Sequence, residues 1–379
     1  MRTRLALLAV VPAMAVVALQ SPPRIHGTID LTIGGADADE NYSFARTVGL
    51  AMGADGRIYV ADGQDQVVRA YSPTGKYLFK FGGTGGGPGE FGLLGAIAFG
   101  PDGMFWTRDE GNFRFQAFTV GETKAEYKSG RLMQQHARGI HQPIVFDAKG
   151  NTVEIGRVNG PNAGPYDYVR TSVDEASHPI AADTLRGPPE DSTGVRYVHM
   201  NKQVSPTSVV VGRYLYQPFG SVPTIAFAPN GAAASALTGR YVVTVTALGG
   251  ARLRVLRRDV VGPEPTSKER ATAEKDFNNA LADVNLSRVT APFKPLARKP
   301  PLDALTFSTD GDLWVQRTTA AGAPHEADVY DKNGRMVAVA EWPTGFALMS
   351  YRTTIAGRTA LAVAMDSLDV ERVVRVRFK

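Results

Sequence analysis

Five short stretches of the chain alternate apolar and polar residues and then turn on a glycine. They read "GLAMGADG" from Gly49, "GAIAFGPDG" from Gly95, "PIVFDAKG" from Pro143, "TIAFAPNG" from Thr224 and "ALTFSTDG" from Ala304. A period of two places every second side chain on one face of a β-strand, and a glycine after Asp, Asn or Lys supplies the positive φ of a tight hairpin. After three of these turns comes a second strand, "RIYVAD", "MFWTRD" or "DLWVQR", then a third, "QVVRAYSPTG", "FRFQAFTVG" or "ADVYDKNG". The pattern predicts a repeated antiparallel meander.

The turns centre on Asp55, Asp102, Lys149, Asn230 and Asp310, at steps of 47, 47, 81 and 80 residues, and a weaker turn at Ala356-Gly357 comes 46 later. Repeats of about 40 to 50 residues with four strands each describe the blades of a β-propeller. The expected fold is therefore all-β, a six-bladed propeller in one domain over 21–379, with about 35 inserted residues in each long step. In the second insertion, "TSKE" at Thr266 to Glu269 is a capping box, and Ala273, Phe277, Ala280, Leu281 and Val284 share a helical face. One helix, about 267–284, is expected against the propeller flank. The first insertion, about Arg186 to Val222, contains "VVVGRYLY", which leaves extra strands or a seventh blade open.

The two ends of the chain complement each other. "RVVRVRFK" alternates Arg375, Arg377 and Lys379 with Val374, Val376 and Phe378, a half-buried strand; "TIDLTIGG" alternates Ile29, Leu31 and Ile33 and matches "YLFKFGG", an outer strand. The last blade lacks its outer strand, so the N-terminal one is expected to pair there, closing the ring and removing an edge.

Residues 1–20 change the picture of location. Arg2 and Arg4 precede an uncharged, largely apolar run from Leu5 to Leu19 and small-residue exits, the order of a secretory signal, and the run is short for a membrane span of roughly twenty residues. Export to the periplasm or the medium is expected, with a mature chain starting near Ser21. The chain has no cysteine, which excludes disulfides, thiolate metal sites and a thiol nucleophile. Without the first twenty residues the formal charge falls from +5 to +3, a surplus too small to imply a nucleic-acid partner.

"FGGTGGGPGEFG", Phe81 to Gly92, contains GxGxxG at Gly87, Gly89 and Gly92. A dinucleotide loop must open a helix whose N-terminus meets the pyrophosphate, whereas "LLGAIAFGPDG" follows here, a strand and a hairpin. The loop is read as a blade-to-blade connector. Together with "YVADGQDQVVRAYSPTGKYLFK" and with "GNFRFQAF" at Gly111 to Phe118, it resembles NHL repeats, and the wider chain is similar to exported bacterial six-bladed β-propeller proteins of the NHL-repeat type. That resemblance implies a binding scaffold, with lyases and lactonases as minority relatives, and gives Arg114 a structural place between blades.

Strand parity puts Asp62, Asp109, Arg317 and Asp366, which end second strands, on the connector face; they are the candidate ligand-binding residues. The histidines lack a paired zinc-ligand spacing, and no GxSxG is present. The reading is a non-catalytic, monomeric scaffold that binds a protein, peptide or glycan on the connector face and needs no cofactor. Its alternative is a lactonase-like metal-dependent hydrolase or lyase with a divalent cation in the channel, for which Asp62, Asp109 and Asp366 could supply oxygens.

Overall fold

The structure is a computed structural model that describes residues 21–36, 38–134, 143–158, 167–187, 195–198, 202–205, 208–210, 213–282, 295–348 and 352–379. The expected secretory segment, 1–20, lies outside them, as do Val284, His136, His141 and His199. Among the described residues no helix is long and apolar enough to cross a membrane.

After β1 (Arg24–Ile33), the strands form antiparallel meanders in chain order. The first is β2 (Thr47–Met52), β3 (Ile58–Asp62), β4 (Val67–Tyr71) and β5 (Tyr77–Gly82). The second is β6 (Leu94–Phe99), β7 (Phe105–Asp109), β8 (Arg114–Val120) and β9 (Ala125–Leu132). The third is β10 (Val145–Phe146), β11 (Thr152–Arg157), β12 (Tyr168–Val173) and β13 (Pro179–Leu185). Among its described residues the first insertion forms two strand pairs, β14 (Val195–Val198) with β17 (Arg213–Tyr216) and β15 (Lys202–Ser205) with β16 (Ser208–Val210), rather than a further four-stranded sheet. The fourth meander is β18 (Pro223–Phe227), β19 (Ala233–Leu237), β20 (Val242–Thr246) and β21 (Arg252–Arg257), followed by helix α1 (Ser267–Ala282). Then come β22 (Leu302–Phe307), β23 (Leu313–Arg317), β24 (His325–Tyr330) and β25 (Met336–Trp342), and last β26 (Thr353–Ala356), β27 (Thr359–Met365) and β28 (Glu371–Phe378).

Four meanders are four-stranded sheets, and β1, β22–β25 and β26–β28 join as one eight-stranded sheet in the order β22-β23-β24-β25-β1-β28-β27-β26. The fold is all-β and propeller-like, with one helix among the described residues. Its sheets stack through apolar clusters: Phe79, Phe91 and Phe105 between the first two, Phe115 and Phe146 between the second and third, Ile155 and Ala233 between the third and fourth, and Val243 and Leu305 beyond. Every turn expected from the sequence is a hairpin turn, and its glycine carries the required conformation, from φ 53° at Gly357 to φ 87° at Gly311.

The sequence did not signal a repeated irregularity at the inner strands. β2, β6 and β22 each shift register near their first residues, between Thr47 and Gly49, Leu94 and Ala96, and Leu302 and Ala304. Neighbouring inner strands also come close: a Cβ on Gly49 would lie 3.1 Å from Ile97 Cγ1 and 3.3 Å from its backbone nitrogen. Only glycine leaves that approach unstrained.

Closure follows the expected pairing but not the expected faces. β1 runs antiparallel to β28, with Thr28 opposite Arg377 and Ile33 opposite Val373, and a bulge at Asp30 splits the ladder. Because the bulge puts Ile29 and Ile33 on opposite faces, Ile33 is buried while Ile29 is 45% exposed, against the simple alternation of Ile29, Leu31 and Ile33. β28 is likewise not half-buried: Val373, Val374, Arg375 and Val376 are all buried, and Arg375 is neutralised by the bulged Asp30 through bonds of 2.8 and 3.0 Å. The first residues of β1 add an unexpected parallel pairing to β25, from Arg24 opposite Val339 to His26 opposite Glu341.

Candidate functional site

The β3-β4 and β7-β8 turns share the connector face with the chain segments that join one meander to the next. Asp62 and Asp109 stand there, yet both are fully buried, 0% exposed, rather than presented in open turns. The Asp62 carboxylate pairs with Arg69 at 2.9 Å and accepts the Gln64 amide at 2.9 Å. Asp109 accepts the amides of Gly92 and Leu93 at 3.0 Å each, the Asn112 amide and side chain, and Arg114 Nε. Arg317 pairs with Glu326 and with the buried Asp328, and Arg24 of β1 reaches the same Glu326 at 2.9 Å. Asp366 accepts the amides of Val370 and Leu368, which hold its carboxyl below the usual range. No hydrogen bond or ion pair among the described residues joins any two of the four; each serves its own turn or connector.

The glycine loop is held by the segment that matches the NHL pattern. Arg114 donates to the carbonyls of Gly86, Gly87 and Glu90, Asn112 to that of Gly85, and Gln116 to that of Glu90 while accepting the Gly89 amide. The loop's own amides turn inward: Gly87 donates to the Glu90 carboxylate, Phe91 to Gly83, and Gly92 to Asp109. An anion-binding nest needs several outward amides, and these are already committed. The Glu90 carboxylate already accepts the Gly87 amide, at 2.8 Å.

A sizeable open space lies elsewhere, on the channel axis. A cavity of about 680 Å³ is bounded by β2, β6, β10, β18, β22 and β26 and runs to the hairpin face, where Gly53, Gly100, Pro229 and Asp310 stand. Small residues make the room: Gly49, Ala51, Ala96, Ala98 and Ala226 face it between bulkier neighbours such as Leu50, Phe99 and Phe227. Polar groups concentrate on one side, where Thr306, Ser308, Thr353 and Thr354 come from β22 or its turn and from β26. Asp310 is the one ionisable carboxylate among the described wall residues, and no His, Lys or Arg is among them. Sequence reasoning missed this site, although small residues recurring in the first strand of each repeat were its visible trace.

Among the described residues no group of three or more His, Asp or Glu is arranged to hold a metal ion. His325 stacks on Trp342 with ring centres 5.4 Å apart and is held below its usual range by burial; His178 lies 3.5 Å from Asp174, and His26 lies 3.6 Å from Glu341, which Arg24 also reaches at 3.2 Å.

No protein-family model matches the chain, and no curated protein matches it. Similar solved structures include selenomethionine-substituted virginiamycin B lyase from Staphylococcus aureus, 10% identical, covering 93% of this chain and 99% of that one at a TM-score of 0.41. They also include PQQ-bound aldose sugar dehydrogenase from Streptomyces coelicolor, 12% identical, covering 95% and 100% at a TM-score of 0.43. With TM-scores below 0.5, neither likeness transfers an activity, a substrate or a cofactor to this chain.

Proposed function

We propose that the protein is an exported, six-bladed propeller of the NHL-repeat type that binds a ligand without transforming it, the ligand's apolar part lying in the central channel. In this reading β1 completes the last blade beside β28, so the eight-stranded sheet counts as two blades linked through the first three residues of β1. The observation that carries the binding site is the 680 Å³ cavity with its mostly apolar wall. Ligand cavities commonly measure about 300–1,000 Å³, with apolar walls and a few placed polar groups. The proposed site thus moves from the connector face to the channel, because the connector-face carboxylates already have partners within the fold.

The test is a fluorescence titration with N-phenyl-1-naphthylamine, a neutral apolar probe. The mature protein is expected to bind it at one site, and Ala98→Phe, which fills the channel from β6, to abolish binding while remaining folded. Probe binding undiminished by Ala98→Phe would refute the site. Stoichiometric divalent metal with lactone or ester turnover would refute the non-catalytic reading.

A further inference from the structure

The channel adjoins a second space of different chemistry. Pro229, Phe307, Thr309 and Asp310 line both the channel and a cavity of about 300 Å³ between the β18–β21 and β22–β25 sheets, also on the hairpin face. Across that shared wall the lining changes from apolar to cationic. Arg254 of β21 and Lys332 of the β24-β25 turn both line the smaller cavity.

Among the described residues neither cation has a carboxylate partner within ion-pairing distance. Arg254 there makes one long hydrogen bond, 3.4 Å to the carbonyl of Asp331, and is half-buried across Gly334, where a Cβ would lie 2.9 Å from its Cδ. Lys332 passes beside Gly311, whose Cβ would stand 3.5 Å from its Cε. The carboxylates of Asp331 and Asp310 already accept backbone amides. Asp331 accepts the amides of Asn333 and Arg335 at 2.9 Å each and faces the Arg335 guanidinium at 3.4 Å; Asp310 accepts the Gly357 amide. Asp312 is pushed above the usual range by burial and by those two aspartates. Arg254 and Lys332 thus place two cationic donors on one cavity wall beside carboxylates that already accept backbone amides, an arrangement suited to an anionic acceptor.

We propose that the ligand is an amphipathic anion, with an apolar body in the channel and a carboxylate-like group on a short arm that reaches Arg254 and Lys332 in the adjoining cavity. This inference rests on the channel reading and adds the class of molecule. Displacement of N-phenyl-1-naphthylamine by decanoate and by decanol, both below micelle-forming concentrations, separates the two. Decanoate is expected to displace the probe at about tenfold lower concentration than decanol, the worth of two partly exposed charge contacts. In the Arg254→Ala/Lys332→Ala double variant that preference should vanish while decanol is unaffected, and Arg254→Lys should keep most of it. Equal displacement by both alkyl compounds in the unaltered protein, or a preference that survives the double variant, would overturn the anion while leaving the channel site intact. A probe that never binds would overturn the channel site and the anion with it.

Discussion

Asp109 shows how a residue that reads as a candidate ligand in sequence becomes a structural centre. Five donors converge on its carboxylate, from Gly92, Leu93, Asn112 through both backbone and side chain, and Arg114. Asp109→Ala would leave Arg114 Nε and several amides without their acceptor, and the Arg114 charge without its counter-ion, at a fully buried site, at a cost of about 3–5 kcal/mol. Chemical denaturation should show that loss, and Asp109→Asn should recover part of it. A stability loss below about 0.5 kcal/mol, the value for an exposed turn residue, would contradict the burial. The sequence marked Asp109 as the end of a second strand but could not reveal its donors, because Gly92 and Leu93 belong to the preceding connector. Arg114 was better legible, since its place in "NFRFQAF" carried the structural role it has.

At the scale of elements, the hairpin glycines were legible because positive φ leaves a mark in residue choice. The bulges at Thr47/Gly49 and Asp30 were not, because a bulge needs no particular residue and shows only in the pairing. Helix α1 was foreseen from its cap: Thr266 Oγ1 accepts the Glu269 amide at 3.2 Å, and Glu269 accepts the Thr266 amide at 2.7 Å. Lys299 adds an ion pair of 2.7 Å, and together these bonds draw the Glu269 carboxyl from 4.5 down to about 2. A carboxylate with a depressed folded value stabilises the fold above its unfolded pKa and loses that contribution as pH falls through the folded value. The contribution of α1 is therefore expected to be complete above about pH 4.5 and gone near pH 2. Acid titration of stability should show Glu269→Gln with a shallower loss in that window than the unaltered protein; parallel curves would show that the capping box and ion pair contribute nothing to folding.

For the whole molecule, the decisive element is the N-terminal strand, which reaches two sheets at once. Arg24 to His26 pair with β25 and Gly27 to Ile33 with β28, while Arg375 and Arg377 both bind Asp30. Removing 24–33 would expose the edges of β25 and β28 together and leave the buried Arg375 unpaired. The truncated chain is expected to melt far below the intact one and to self-associate; unchanged melting of a monomer would show that closure does not depend on β1. Ring closure from the two ends of the chain was legible in sequence, since "TIDLTIGG" matched an outer strand. The channel was not, because a cavity is a property of six strands taken together and none of them encodes it alone.

The central claim is that this closed ring holds its ligand in the channel, and a crystal structure of the protein soaked with N-phenyl-1-naphthylamine tests it most directly. The account expects ordered density for the probe between β2, β6 and β22, in contact with Leu50, Ala98 and Phe307, and no ordered probe beside Asp62 or Asp109. Density on the connector face with an empty channel would contradict it.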